Sequence, residues 1–291
     1  MKPTQVEVAP EALSLMQSMT GSFADRYLND HVIHPLIAGL RTDSANLAEI
    51  RTKLSDPFWC LHGLFSHYVF SRRGKERAEL SQFACTALRR FSKPDDFIGN
   101  LETADPVAIW EAFVEVCKER KTKENEQQNR AIIQGMFELA QEIHAEQRGV
   151  SIAGKIVNSV QSTHRIEQDF ERIVDIRGMG PKSSSLILRD MIWVFDLEDR
   201  VDFADRLYLQ PVDRWLRAMV GHFIPELTDQ PDAADWVIAG KMAKYARHLG
   251  LSGIRLNMGM TQYGASEITS IEQIPFVLRK RFAAIREILV P

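Results

Sequence analysis

The amino-acid sequence predicts an all-α protein, a helical bundle of two lobes, on three observations. Apolar residues recur with helical spacing almost everywhere, no segment shows the alternation of a half-buried strand, and a glycine-rich turn joins two helical patterns in the second half of the chain. The chain has 291 residues, 45% of them hydrophobic and 26% charged. A chain of that length buries enough surface to hold a core without metals or disulfides.

The elements follow in order. Asp56-Pro57-Phe58 opens a segment dense in rings, with Phe58, Trp59, His62, Phe65, His67 and Tyr68. Asp105 followed by Pro106 reads as an N-cap with proline at the first helical position, after which Val107, Trp110, Phe113, Val114 and Cys117 fall on one stripe. Residues 118–130 are the most polar stretch and read as an inter-helix loop or a domain hinge. Ile132, Ile133, Met136, Phe137, Ala140 and Ile143 make the next stripe. Ile166, Phe170, Ile173 and Val174 give an amphipathic helix that breaks at 177–181, and residues 183–195 resume as a nearly all-apolar helix. After Pro211-Val212-Asp213, the stripe Val212, Trp215, Leu216, Met219, Val220 and Phe223 follows, and residues 276–289 form a terminal helix carrying Arg279, Lys280, Arg281 and Arg286. This pattern places the lobes at approximately 36–117 with the C-terminal helices and at 130–223, with the hairpin at 166–195 on their junction.

Composition removes several function classes. A net charge of −3 and a pI near 6.3 argue against a protein that holds nucleic acid by bulk basicity, and leave room for a local basic face such as the run at 71–77. Cys60, Cys85 and Cys117 sit in apolar stretches at spacings that suit no zinc or redox motif, which predicts buried free thiols in a reducing cytoplasm. No apolar run approaches the roughly 18 residues of a membrane span, and the opening residues carry no signal-type apolar region, so a cytoplasmic protein without a membrane partner is expected. His31 and His34 are followed directly by Pro35 and lack a third ligand, so they read as a helix-end pair and no metal is expected.

The informative stretch is the break itself. Gly178 and Gly180 flank Met179 and precede Pro181, Lys182, Ser183, Ser184 and Ser185. Glycine admits the positive φ of a sharp turn, the N–H groups that open the next helix form a site for a phosphate oxygen, and serine hydroxyls can add donors. Taken alone, an ordinary turn between helices with a glycine cap accounts for the pair equally well. The combination with Lys182 after the turn and Val212-Asp213 at a later helix start resembles the helix-hairpin-helix, endonuclease III-like DNA glycosylase superfamily, whose pattern is a Gly-x-Gly-x-Lys hairpin followed by a Val-Asp helix start. The separation of Lys182 from Asp213 is similar to that of the archaeal 8-oxoguanine DNA glycosylase branch. Iron–sulfur members carry four cysteines near the C-terminus, whereas the last cysteine here is Cys117, so neither an iron–sulfur cluster nor another cofactor is expected.

The resemblance implies a bifunctional DNA glycosylase with AP lyase activity. It aligns Lys182 with the catalytic lysine and Asp213 with the catalytic aspartate, and it gives Arg177, Gly178, Gly180, Ser183 and Ser184 to the DNA backbone. Its partner is double-stranded DNA with a flipped base, bound by a monomer, and 8-oxoguanine is the favoured target. The chemistry suits these residue types. Breaking an N-glycosidic bond builds positive charge on the sugar, which a fixed carboxylate stabilises. A lysine attacks the sugar as a neutral amine, a form held by about one in a thousand at pH 7.4 for a reference pKa near 10.4. A flipped base needs stacking and edge hydrogen bonds, for which Trp59, His62, His67 and Tyr68 in one segment and Gln262 and Tyr263 in another are candidates, although core packing explains each singly. The reading also requires a positive face around Arg177, Lys182 and Arg189. Two rivals stand beside it: a glycosylase for a bulky hypermodified base such as phage DNA carries, acting in defence, and a non-catalytic protein that uses the hairpin only to bind DNA.

Overall fold

The computed structural model describes residues 8–43, 45–70, 76–230 and 232–289, and among these it forms helices and turns with no strand, so the chain is all-α. It divides into two compact units, Val32–Val201 on the one hand and Met1–His31 with Asp202–Pro291 on the other. The expected lobes at 36–117 and 130–223 do not separate there. Phe58 meets Phe97 edge-on at 5.4 Å, and Phe137 meets both Phe97, at 6.3 Å, and Phe91, at 5.2 Å, so helices from both sides of residue 118 share one core. The polar stretch 118–130 is accordingly a connection inside one unit, joining helices Val107–Glu119 and Glu126–Glu146, and Asn129 fastens it by donating to the Glu124 carbonyl at 2.7 Å. The basic run at 71–77 lies outside the residues whose side chains are described.

Local chemistry sets the helix starts in the 32–201 unit. Asp56 accepts from the Trp59 N–H at 2.9 Å and Pro57 takes the first helical position, which fixes the start of Pro57–His67. That helix is apolar almost all round and is correspondingly buried, with Phe58, Leu61, Leu64 and Phe65 closed from solvent. Asp105 caps Val107–Glu119 by accepting from the Val107 N–H at 2.8 Å, and the stripe Ile109, Trp110, Phe113 and Cys117 is buried. Cys60, Cys85 and Cys117 are free and buried, and burial pushes their thiols up to about 11, 12 and 11, which keeps them protonated and unreactive at neutral pH.

The second unit is built on helix Gly253–Glu267, which passes the kinked π-helical segment Met19–Phe23 so closely that a Cβ at Gly259 would lie 1.9 Å from the Met19 carbonyl oxygen. Only glycine fits there, and the contact joins helix Pro10–Ser18 to the C-terminal part of the chain. Leu15, Met16, Met19, Trp215, Leu216, Met242, Leu256 and Met260 form the shared core, each large apolar side chain contributing about 1.5–3 kcal/mol. Terminal helix Ile274–Leu289 docks through Ile274 and Leu278, with Phe282 edge-on to Phe223 at 6.0 Å and Arg286 donating to Glu11 at 2.6 Å. No helix among the described residues is long and apolar enough to cross a membrane.

Candidate functional site

The hairpin lies wholly within the 32–201 unit, as helix Glu167–Val174, a turn, and helix Pro181–Val194. The turn is closed by the Met179 N–H donating to the Ile176 carbonyl at 2.8 Å. Gly178 is the third residue of that turn with φ of +100°, the position where such a turn needs a positive φ and selects glycine. Gly180 differs: at φ −112° and ψ 173° it is extended backbone that other residues adopt, and its place is as N-cap of the second helix. The turn sits down on helix Glu126–Glu146. A Cβ on Gly178 would lie 2.5 Å from Ile132, and one on Gly135 would lie 2.7 Å from Ile176, so glycine on each partner permits the approach.

The start of helix Pro181–Val194 carries no side-chain cap, in contrast to the starts at Asp56, Ser151, Asp213 and Ser252. Pro181 has no N–H, and the Ser184 N–H closes the first rung on the Gly180 carbonyl at 3.0 Å. The N–H groups of Lys182 and Ser183 therefore precede the helical ladder. Lys182 is exposed, as is Arg177. The serines do not serve as expected. Ser183, Ser184 and Ser185 are buried, and both the N–H and the hydroxyl of Ser184 donate to the Gly180 carbonyl, so of the expected pair Ser183 alone can offer an anion its backbone N–H. Arg189 is also not part of a positive face, because it is buried and ion-paired with Asp190 at 2.8 Å. Beside the turn, a cleft of about 490 Å³ is lined by Glu138, Glu142 and Asp175 as well as Arg172 and Arg177, and Arg172 pairs with Glu146. The cations free to meet a phosphate at the hairpin are thus few.

Asp213 belongs to the other unit, as N-cap of helix Arg214–Val220. Its Oδ1 accepts from the Leu216 N–H at 2.8 Å and its Oδ2 accepts from the Thr261 hydroxyl at 3.0 Å. The half-buried carboxylate is held in one orientation by two bonds, and each oxygen keeps a second lone pair for another donor or a nearby cation. Asn257, buried, donates to the Pro211 carbonyl at 3.3 Å and anchors the segment that precedes it.

The candidate base-binding residues fare unevenly. His62 is buried, its Nδ1–H donates to the Gly39 carbonyl at 2.5 Å, and burial lowers its pKa to about 4, so it is a neutral core residue. Tyr68 is buried as well, with the half-buried His67 ring edge-on to it at 4.5 Å. The half-buried Trp59 has its face covered by the Lys53 ammonium at 4.1 Å. These residues pack against their neighbours within the 32–201 unit. Gln262 and Tyr263 are buried in the second unit, and Tyr263 lines a cavity of about 350 Å³ with Phe23, Phe276, Val277, Lys280 and Arg281. Phe23 and Phe276 escape sequence reasoning because they come from opposite ends of the chain. The i, i+4 pairing of Phe276 with Lys280 is the one signal that was available. His31 and His34 are both exposed, and among the described residues no group of three histidine, cysteine or acidic side chains could hold a metal ion. No protein-family model, curated protein or solved structure matches the chain.

Proposed function

We propose that the chain is a DNA glycosylase of the helix-hairpin-helix kind that excises a damaged or modified base, 8-oxoguanine foremost, with Lys182 as nucleophile and Asp213 as the carboxylate that steadies the sugar cation. The observation that carries this reading is the hairpin: a turn held at positive φ by Gly178, an uncapped helix start, and an exposed lysine in the first turn of that helix. Backbone N–H groups at such a start favour a phosphate oxygen, which fits a DNA strand passing the turn. On this reading the neutral Lys182 amine attacks C1′, the base leaves with the glycosidic electron pair, and opening of the sugar ring gives a Schiff base. Loss of a C2′ proton then breaks the strand by β-elimination. The tight bonding of Asp213 supports its part, since a fixed carboxylate needs no reorganisation when charge develops.

Borohydride trapping tests the proposal, using duplexes that contain 8-oxoguanine, uracil, an abasic site or a hypermodified cytosine. A covalent adduct with one duplex that disappears in Lys182→Gln is the expected result. Neither adduct nor free base on any duplex, with DNA binding intact, would overturn it in favour of a non-catalytic binding protein. That second reading has its own observation, the bonding of both Asp213 oxygens within its own unit as a helix cap, and it predicts DNA binding indifferent to Asp213→Asn.

A further inference from the structure

We propose that the unit containing residues 202–291 carries a binding site for one unpaired nucleotide of a DNA strand, in the cavity beside helix Ile274–Leu289. The inference goes beyond the glycosylase reading and requires no chemistry at Lys182 or Asp213. The cavity, of about 350 Å³, falls in the range of about 300–1,000 Å³ of small-molecule sites. Its walls are flat and apolar: Phe23 and Tyr263 lie edge to face at 5.1 Å, and Phe276 and Val277 complete them. Phe276 is 70% exposed, an unusual position for a large aromatic ring, and it leaves a π face open to a base.

Polar groups stand where a nucleotide needs them. Tyr263 is only 3% exposed as a residue, and its hydroxyl, which forms no hydrogen bond among the described residues, stays open to a ligand in the cavity its ring lines. Together with the Glu267 carboxylate it offers both a donor and an acceptor to the edge of a base. Lys280 and Arg281 lie one turn after Phe276 and Val277 on the same face of the helix. Both are exposed and neither forms an ion pair among the described residues, whereas Arg286, further along the helix, is taken by Glu11. An aromatic platform, an accessible phenol hydroxyl and two free cations match a base with its phosphate. The exposed Arg279, adjacent to them, extends the positive charge past the cavity and favours a strand over a single nucleotide.

The test uses the full-length chain and a short single-stranded oligonucleotide with one 2-aminopurine, whose fluorescence falls on stacking. Saturable quenching is expected, weakened about tenfold in Phe276→Ala, the size of one lost base stack. Replacing Lys280 and Arg281 together with glutamine should reduce the slope of log affinity against log salt by about 1.4, at about 0.7 for each lost phosphate contact on a single strand. Trp236→Ala, at a 71% exposed ring outside the cavity, should change nothing. Absence of saturable quenching, affinity of Phe276→Ala within twofold of the parent, or competition by the mononucleotide as strong as by the strand would each overturn the proposal. The oligonucleotide carries no lesion and the readout involves no bond cleavage, so failure here and failure of borohydride trapping are separate results.

Discussion

Replacing Asp213 by asparagine separates the two roles its geometry allows. Asparagine caps a helix about as well as aspartate, so the bond to the Leu216 N–H survives, and the Thr261 hydroxyl can still donate to the amide oxygen or accept from the amide nitrogen. What is lost is the negative charge at a helix start, about 0.3–1 kcal/mol. Asp213→Asn should therefore lower stability by less than about 1 kcal/mol. Asp213→Ala should cost about 2 kcal/mol, roughly half from the cap and half from the Thr261 bond. If the carboxylate stabilises a sugar cation, Asp213→Asn removes a preorganised charge from the transition state, a change on the order of 10²–10³ in rate. Urea unfolding and single-turnover base release, measured on both variants, make the comparison. Base release by Asp213→Asn within a few-fold of the parent, or a loss of activity that follows the loss of stability across the two variants, refutes a catalytic role and leaves a structural cap.

Gly178→Ala should destabilise the chain by about 2–5 kcal/mol, combining about 1–2 for the unfavourable backbone region with about 1–3 for a Cβ driven into Ile132. Adding Ile132→Ala should relieve the overpacking part of that coupling and leave the backbone part, which a double-mutant cycle on urea unfolding resolves. Asp169 is buried, and burial raises its pKa to about 6 from 3.8 despite a Ser159 hydrogen bond and the nearby Lys155 and Arg172; Glu146 adds to the rise. The folded state then holds a proton that the unfolded state releases at lower pH, so stability falls as pH rises from about 4 through about 6, by about 3 kcal/mol in all. Asp169→Asn should remove that slope, and the stability difference between parent and variant, measured at about pH 4 and about pH 7, should change by that amount. Lys182→Gln, at an exposed position, should leave the melting temperature within the effect of about 0.5 kcal/mol, so that its trapping result reports chemistry rather than folding.

The parts of the fold that are local were legible in the residues. A stripe such as Ile132, Ile133, Met136, Phe137, Ala140 and Ile143 is buried because one helix face must be, whichever helix covers it. Asp105 and Pro106 announce a helix start by chemistry that acts within one turn. The partition into units was not legible, because it turns on contacts distant in sequence, Gly259 against Met19 and Phe97 against both Phe58 and Phe137, and period says nothing about partner. The same limit governs the site. Gly178 betrays its turn because few other residues tolerate positive φ, whereas Ser183, Ser184 and Arg189 look like surface polar residues and are buried, the face of the helix they occupy being turned inward.

Charge links these readings. The chain as a whole is slightly acidic, and the hairpin presents Arg177 and Lys182 among exposed Glu171 and Asp175 while Arg189 is withdrawn into an ion pair. Each phosphate contact on duplex DNA contributes about 0.9 to the salt slope, so two cations at the hairpin give a slope near −2, far below the value of about −10 reached by a protein that grips many phosphates. On the proposed glycosylase reading, a slope that shallow leaves little affinity for undamaged DNA, and discrimination would rest on the base taken out of the stack. A slope on undamaged duplex much steeper than −2 would mean that phosphate contacts other than those at the hairpin dominate, and would shift the source of affinity away from Arg177 and Lys182.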